Sequence, residues 1–111
     1  MAANHSDPDA IAALLPDFVP LPEAPDAYFE ESSRATLIPL SDLVSTRLRP
    51  KGVRNAARLM RDAAAGAADR RAPIRVARAR EGSWLVLDGN STVAVARLSG
   101  WRSIPCLVDP E

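Results

Sequence analysis

The chain has 111 residues, 47% of them apolar, with 14 Lys and Arg balanced by 14 Asp and Glu. That length allows one domain with one modest core. No run of eighteen apolar residues occurs, and the start MAANHSDPDAIAALL lacks the basic beginning and cleavage pattern of a secretory signal, so the expectation is a cytoplasmic protein with no membrane partner.

Zero net charge conceals a split. Residues 1–33 hold seven acids (Asp7, Asp9, Asp17, Glu23, Asp26, Glu30, Glu31) and no Lys or Arg, which leaves −7 in front and +7 behind. A basic body suits an anionic partner: a nucleotide, another phosphorylated small molecule, or nucleic acid bound without sequence preference. The acidic front could equally neutralise that body within the chain. Thirteen of the fourteen basic residues are Arg, as GC-rich coding also produces.

Five of the ten prolines fall within the first 25 residues, leaving room for one short helix. Ser6 and Asp9 read as its N-terminal cap, with Ile11, Leu14, Leu15 and Phe18 at helical spacing and Pro16 as its stop. The rest of residues 1–35 reads as an acidic, Pro-rich arm with a helical turn near Tyr28 and Phe29. Its hydrophobic residues need a surface, either on the body or on a protein partner.

The body, residues 36–111, opens with the apolar strand TLIPL. Ser41 then caps a single turn, DLV, before the polar loop STRLRPKG. A helix follows, with Val53, Ala56, Ala57, Met60 and Ala64 as its apolar stripe and Gly66 as its stop. Arg54, Arg58 and Arg61 share another face, which is either a phosphate-binding ridge or a solvated surface. PIRVARAR alternates like a half-buried strand, EG turns the chain, and SWLVLD returns as the second strand of a hairpin. The helix STVAVARLS ends at Gly100, and SIPCLV closes the chain as a strand that Pro105 marks as an edge or a strand start. Arg75, Arg78 and Arg80 read as surface residues, while Trp84 and Trp101 read as core or core-edge. Cys106 is the single cysteine and His5 the single histidine, so neither a disulfide nor a Cys/His metal cluster is expected, and Cys106 reads as a buried structural thiol. The order strand, helix, strand, strand, helix, strand predicts an α/β (α+β) domain: a small mixed sheet with two principal helices.

Between the last strand pair and the second helix lies DGNST. Asp88 and Gly89 make a sharp exit from the strand, Gly89 permits a positive φ and close approach, and Asn90 or Ser91 is expected to cap the helix. Open amides at a helix start favour anions, and the Ser91 and Thr92 hydroxyls would add donors. The same residues also serve any helix as an ordinary cap. Asp88 is the one acid beside the turn and the sole candidate for a catalytic role. Metal-assisted chemistry would need a second carboxylate, for which Asp42 and then Asp62 are the remaining candidates, neither within a motif.

The series IPLSDL, RLRP, a helix, APIRV and GSWLVLDGNSTVAVARLSGWRSIPCLV resembles the ParB/sulfiredoxin-like superfamily over about residues 36–108. The resemblance implies a ParB-like fold, a bacterial setting and a phosphate-binding turn at Asp88 to Thr92, with CTP or ATP and Mg as the implied ligands. It also sets Arg47 and Arg49 in the loop that lies near that turn. ParB proteins have Gly-Glu-Arg-Arg in the turn and sulfiredoxins Gly-Cys-His-Arg, whereas here Gly89 is followed by Asn90, Ser91 and Thr92. Asn90 replaces the cysteine, so sulfiredoxin-type reduction is not expected. No helix-turn-helix is read in the chain, so partition-site recognition is not expected either. The sequence therefore predicts a regulatory or binding module holding a phosphorylated ligand through Gly89, Asn90, Ser91, Thr92, Arg47 and Arg49. The competing expectation is a non-enzymatic interaction module, a partner or antidote protein docking through Leu14, Leu15, Phe18, Tyr28 and Phe29.

Overall fold

The computed structural model describes residues 12–45 and 48–110. Most of the helix expected from Ser6 onward, and Arg47, lie outside the described residues.

Five strands form one mixed sheet: β1 (Thr36–Pro39), β2 (Leu43–Val44), β3 (Ile74–Arg78), β4 (Trp84–Asp88) and β5 (Ser103–Val108), in the order β1-β5-β3-β4-β2. β1 runs antiparallel to β5 and β3 antiparallel to β4, while β3 with β5 and β2 with β4 are parallel. The helices are α1 (Pro25–Tyr28), α2 (Pro50–Ala64) and α3 (Asn90–Leu98). Ile38, Ile74, Val76, Val86, Ile104 and Cys106 alternate inward along the strands and join Val53, Met60, Val93 and Val95 of the helices in one core.

Local chemistry explains the boundaries. The β3–β4 hairpin closes with Ala79 N–H donating to the Ser83 carbonyl at 3.0 Å. Glu81 (φ 57°) and Gly82 (φ 78°) are both left-handed inside that turn, which is why a Glu-Gly pair was a usable signal. Gly66 and Gly100 end α2 and α3 in the same way. Gly66 N–H donates to Ala63 O at 3.1 Å and Ala67 N–H to Asp62 O at 2.8 Å; Gly100 N–H donates to Arg97 O at 3.1 Å and Trp101 N–H to Ala96 O at 3.0 Å. These paired bonds satisfy carbonyls that a helix end would leave open.

Several sequence expectations are corrected. Helix α2 starts at Pro50 rather than Val53, because Pro at the first helical position gives up an amide that has no partner there anyway. Its stripe continues through buried Ala63, three residues after Met60, and not through exposed Ala64. The DLV turn is a 3-10 turn at Leu40–Asp42 followed by the two-residue strand β2, with no side-chain cap from Ser41. Pro105 is neither on an edge strand nor at a strand start; β5 lies between β1 and β3, but pairing with β3 begins only at Cys106, past the proline. Gly89, not Asn90 or Ser91, is the cap residue of α3.

The arm packs on the body. Leu15, Leu21, Tyr28 and Phe29 are buried in the same core, and Tyr28 stacks on Trp101 with ring centroids 5.3 Å apart. The Trp101 indole N–H donates to Leu21 O at 2.8 Å, and Leu21 N–H donates to Ser99 Oγ at 3.0 Å. Of the residues expected to form a docking peptide, Leu14 stays exposed while Leu15, Tyr28 and Phe29 are used internally.

Candidate functional site

The first turns of α2 and α3 meet. A Cβ on Gly52, third residue of α2, would lie 2.9 Å from Ser91 Oγ, so the glycine is what lets the two helix starts approach. Neither helix has a side-chain hydrogen bond at its cap position, and neither has an acid in its first turn. The positive ends of two helix dipoles are therefore brought close together at this junction.

A cleft of about 920 Å³ opens at this junction. Arg49, at the cap position of α2, and Ser91, in the first turn of α3, both line it. Lys51, Arg54, Arg58 and Arg61 continue the lining along α2. Asp17 is the one acid in the lining, so the cleft carries five cations against a single carboxylate. The front of the chain contributes apolar Leu15, Phe18 and Val19 to the lining, with Asp17 among them. Arg54 Nη2 joins the walls by donating to Leu14 O at 3.4 Å, and Arg58 Nη2 donates to Asn55 Oδ1 on its own helix.

DGNST does not form one cradle. Ser91 faces the large cleft, while Asp88, Gly89 and Thr92 line a smaller cavity of about 390 Å³ on the other side of the turn, with Ile74, Arg70 and Arg71. Gly89 takes φ +104°, and a Cβ there would fall 2.6 Å from Ile74 Cδ1, so packing as well as backbone conformation demands glycine. Thr92 is 1% exposed and its Oγ1 has no hydrogen-bond partner. Asn90 is half-buried at the first position of α3.

Arg97, half-buried near the end of α3, donates to Ser45 Oγ at 3.3 Å, to Leu40 O at 3.2 Å and to Leu43 O. Burial pulls its guanidinium below the usual arginine range, yet it stays charged at neutral pH. It ties α3 to the 3-10 turn and to β2.

Of the residues named from the sequence, Ser91, Arg49, Arg54, Arg58 and Arg61 line this cleft; Lys51, not named there, lines it too, as does Phe18, which was expected only in the arm. Lys51 falls on the ridge's side once α2 starts at Pro50, so the missed signal was the proline at the first helical position. Asp88, Asp42 and Asp62 do not come together: none lines the large cleft, and among the described residues no group of three His, Cys, Asp or Glu side chains could hold a metal. Trp84 lies half-buried under the Arg78 guanidinium, 5.0 Å from its ring centroid, and neither tryptophan lines the cleft. Arg75 pairs with Asp109 at 2.7 Å on the exposed side of the sheet.

No family model matches the chain, and no curated protein matches it. Solved structures do. SbnI with a C-terminal truncation, from Staphylococcus aureus, superposes with a TM-score of 0.58 at 20% identity over 70% of this chain and 31% of its own. Sulfiredoxin from Arabidopsis thaliana gives 0.52 at 15% identity over 69% of this chain and 85% of its own. The chain has the ParB/sulfiredoxin-like fold. It spans about a third of the SbnI structure. Among the described residues no helix is long and apolar enough to cross a membrane.

Proposed function

We propose that this domain is a binding module for a phosphorylated ligand, a nucleotide being the leading class, held in the cleft between the starts of α2 and α3. The observation that supports this is the convergence of two helix N-termini lacking side-chain caps with five cations and one acid around a cleft of small-molecule size. Arg49 would grip a phosphate with its forked donors, Lys51 would act as a compact charge, and Ser91 would add a hydroxyl and an amide. The cleft has room for a nucleotide. Magnesium arriving with a nucleotide would be held chiefly by the ligand's own phosphates and by water, and the proposal concerns binding of that ligand.

Calorimetric titration with CTP, ATP, GTP and inorganic phosphate tests it, using wild type, Ser91→Glu and Arg49→Glu. A glutamate in the first turn of α3 suits the helix dipole and fills the anion position, and a thermal melt accompanies this variant because Ser91 packs beside Gly52. Saturable binding weakened about tenfold or more in each variant is the expected result, given the strength of charged hydrogen bonds. Absence of heat from every ligand overturns the proposal. Gly89 is unsuited to this test, since any side chain there strains the fold itself. Nonspecific nucleic-acid binding by the exposed Arg54, Arg58 and Arg61 row is the second reading, and affinity that collapses steeply with salt would favour it.

A further inference from the structure

The cleft has two unlike walls, and only one is explained by a phosphate. α2 supplies the cationic wall; the segment ahead of α1 supplies apolar Leu15, Phe18 and Val19, with the single acid Asp17 among them. Leu15 is 3% exposed and anchors that segment in the core, Phe18 is partly buried against it, and Val19 is left 62% exposed. An inorganic phosphate gains nothing from apolar surface, whereas a ligand with an apolar or planar body gains by covering it. At about 920 Å³ the cleft is far larger than a phosphate and falls in the range of sites that enclose whole small molecules.

We propose that the segment Leu15 to Val19 is the specificity wall of the cleft: it selects phosphorylated ligands that carry a planar apolar body, as nucleoside phosphates do, over phosphate and polyphosphate. The phosphates lie toward Arg49, Lys51 and Ser91, and the body lies against Phe18 and Val19. Phe18 offers a ring for stacking, and Val19 has exposed apolar surface to cover. The inference rests on reading the cleft as an anion site.

The test titrates the full chain with ATP and with tripolyphosphate, in wild type, Phe18→Ala and Val19→Ser. Phe18 contributes to packing, so a thermal melt accompanies its variant; Val19 is already largely exposed, and its substitution leaves the fold unburdened. Wild type is expected to bind ATP about tenfold more tightly than tripolyphosphate, the scale of one base stacked on an aromatic side chain. Both variants are expected to shrink that ratio while leaving tripolyphosphate affinity unchanged. Equal binding of ATP and tripolyphosphate by wild type overturns the specificity wall and leaves the anion site standing. A preference for ATP that survives both substitutions also overturns it, since the body is then read elsewhere. Failure of both ligands to bind overturns the anion site and the wall together.

Discussion

Cys106 is fully buried on β5, with Sγ 3.4 Å from the Ile104 carbonyl, and burial pushes its thiol up to about 12. The folded chain therefore holds the proton where an unfolded one releases it, near the ordinary value of 9.0. The group's contribution to stability is intact below that value and is lost as pH rises from there toward about 12. Native protein at pH 8 should leave Cys106 unreacted with an alkylating reagent under conditions in which denatured protein labels fully, and Cys106→Ala should flatten the alkaline fall in stability. Rapid native labelling would show that the thiol is accessible. Asp109 titrates in the opposite sense: the Arg75 guanidinium holds its carboxyl below the usual range, so that contribution is present at neutral pH and lost on acidification.

The junction of α2 and α3 depends on Gly52, where a Cβ would fall 2.9 Å from Ser91 Oγ. Gly52 is inside a helix, where alanine is ordinarily favoured by about 0.5–1 kcal/mol. Placed in the wild-type chain, Gly52→Ala crowds the hydroxyl and should gain less than that. In Ser91→Ala the obstruction is gone, and the same substitution should gain the full amount. Chemical denaturation of the four proteins measures the coupling, and strict additivity would mean that the helix starts are not in contact. Which elements the sequence reveals follows from the same distinction between local and distant causes. The hairpin was legible because Glu81 and Gly82 carry the turn within themselves, and both helix ends were legible because Gly66 and Gly100 supply their own left-handed caps. Strand β2 was not, since two residues become a strand only by pairing Leu43 with Trp84 and Val44 with Leu85, forty-one positions away. The start of α2 was missed because proline breaks a helix interior but suits its first position. Of the residues lining the cleft, Ser91 was named from local helix-start chemistry and Arg49 from the family resemblance; the cleft itself was not legible, because its lining comes from segments near residues 15, 50 and 91.

For the molecule as a whole, the acidic front is chemically unlike the basic body yet shares its core. Leu15, Leu21, Tyr28 and Phe29 each bury a large apolar side chain, at about 1.5–3 kcal/mol apiece. Trp101, 5% exposed, relies on Tyr28 stacked on it, Phe29 edge-on at 6.4 Å and the Leu21 carbonyl for its indole N–H. The Phe29 backbone also bridges to Arg71, with Arg71 N–H donating to Tyr28 O at 2.8 Å and Glu30 N–H to Arg71 O at 2.7 Å. A domain's total stability is about 5–15 kcal/mol, so removing these groups together takes away most of it. Deletion of residues 1–33 should therefore give a chain that does not fold cooperatively, with Trp101 solvated and its fluorescence shifted to the red before any denaturant is added. A truncated chain that melts sharply, with Trp101 still shielded, would show that the body is sufficient alone and that the front merely rests on it. Charge must be tested separately, by Asp17→Asn in the full chain. Asp17 is the one front acid lining the cleft, and removing its charge should raise affinity for tripolyphosphate about twofold to fivefold at low salt, an effect that fades as ionic strength shortens the screening length.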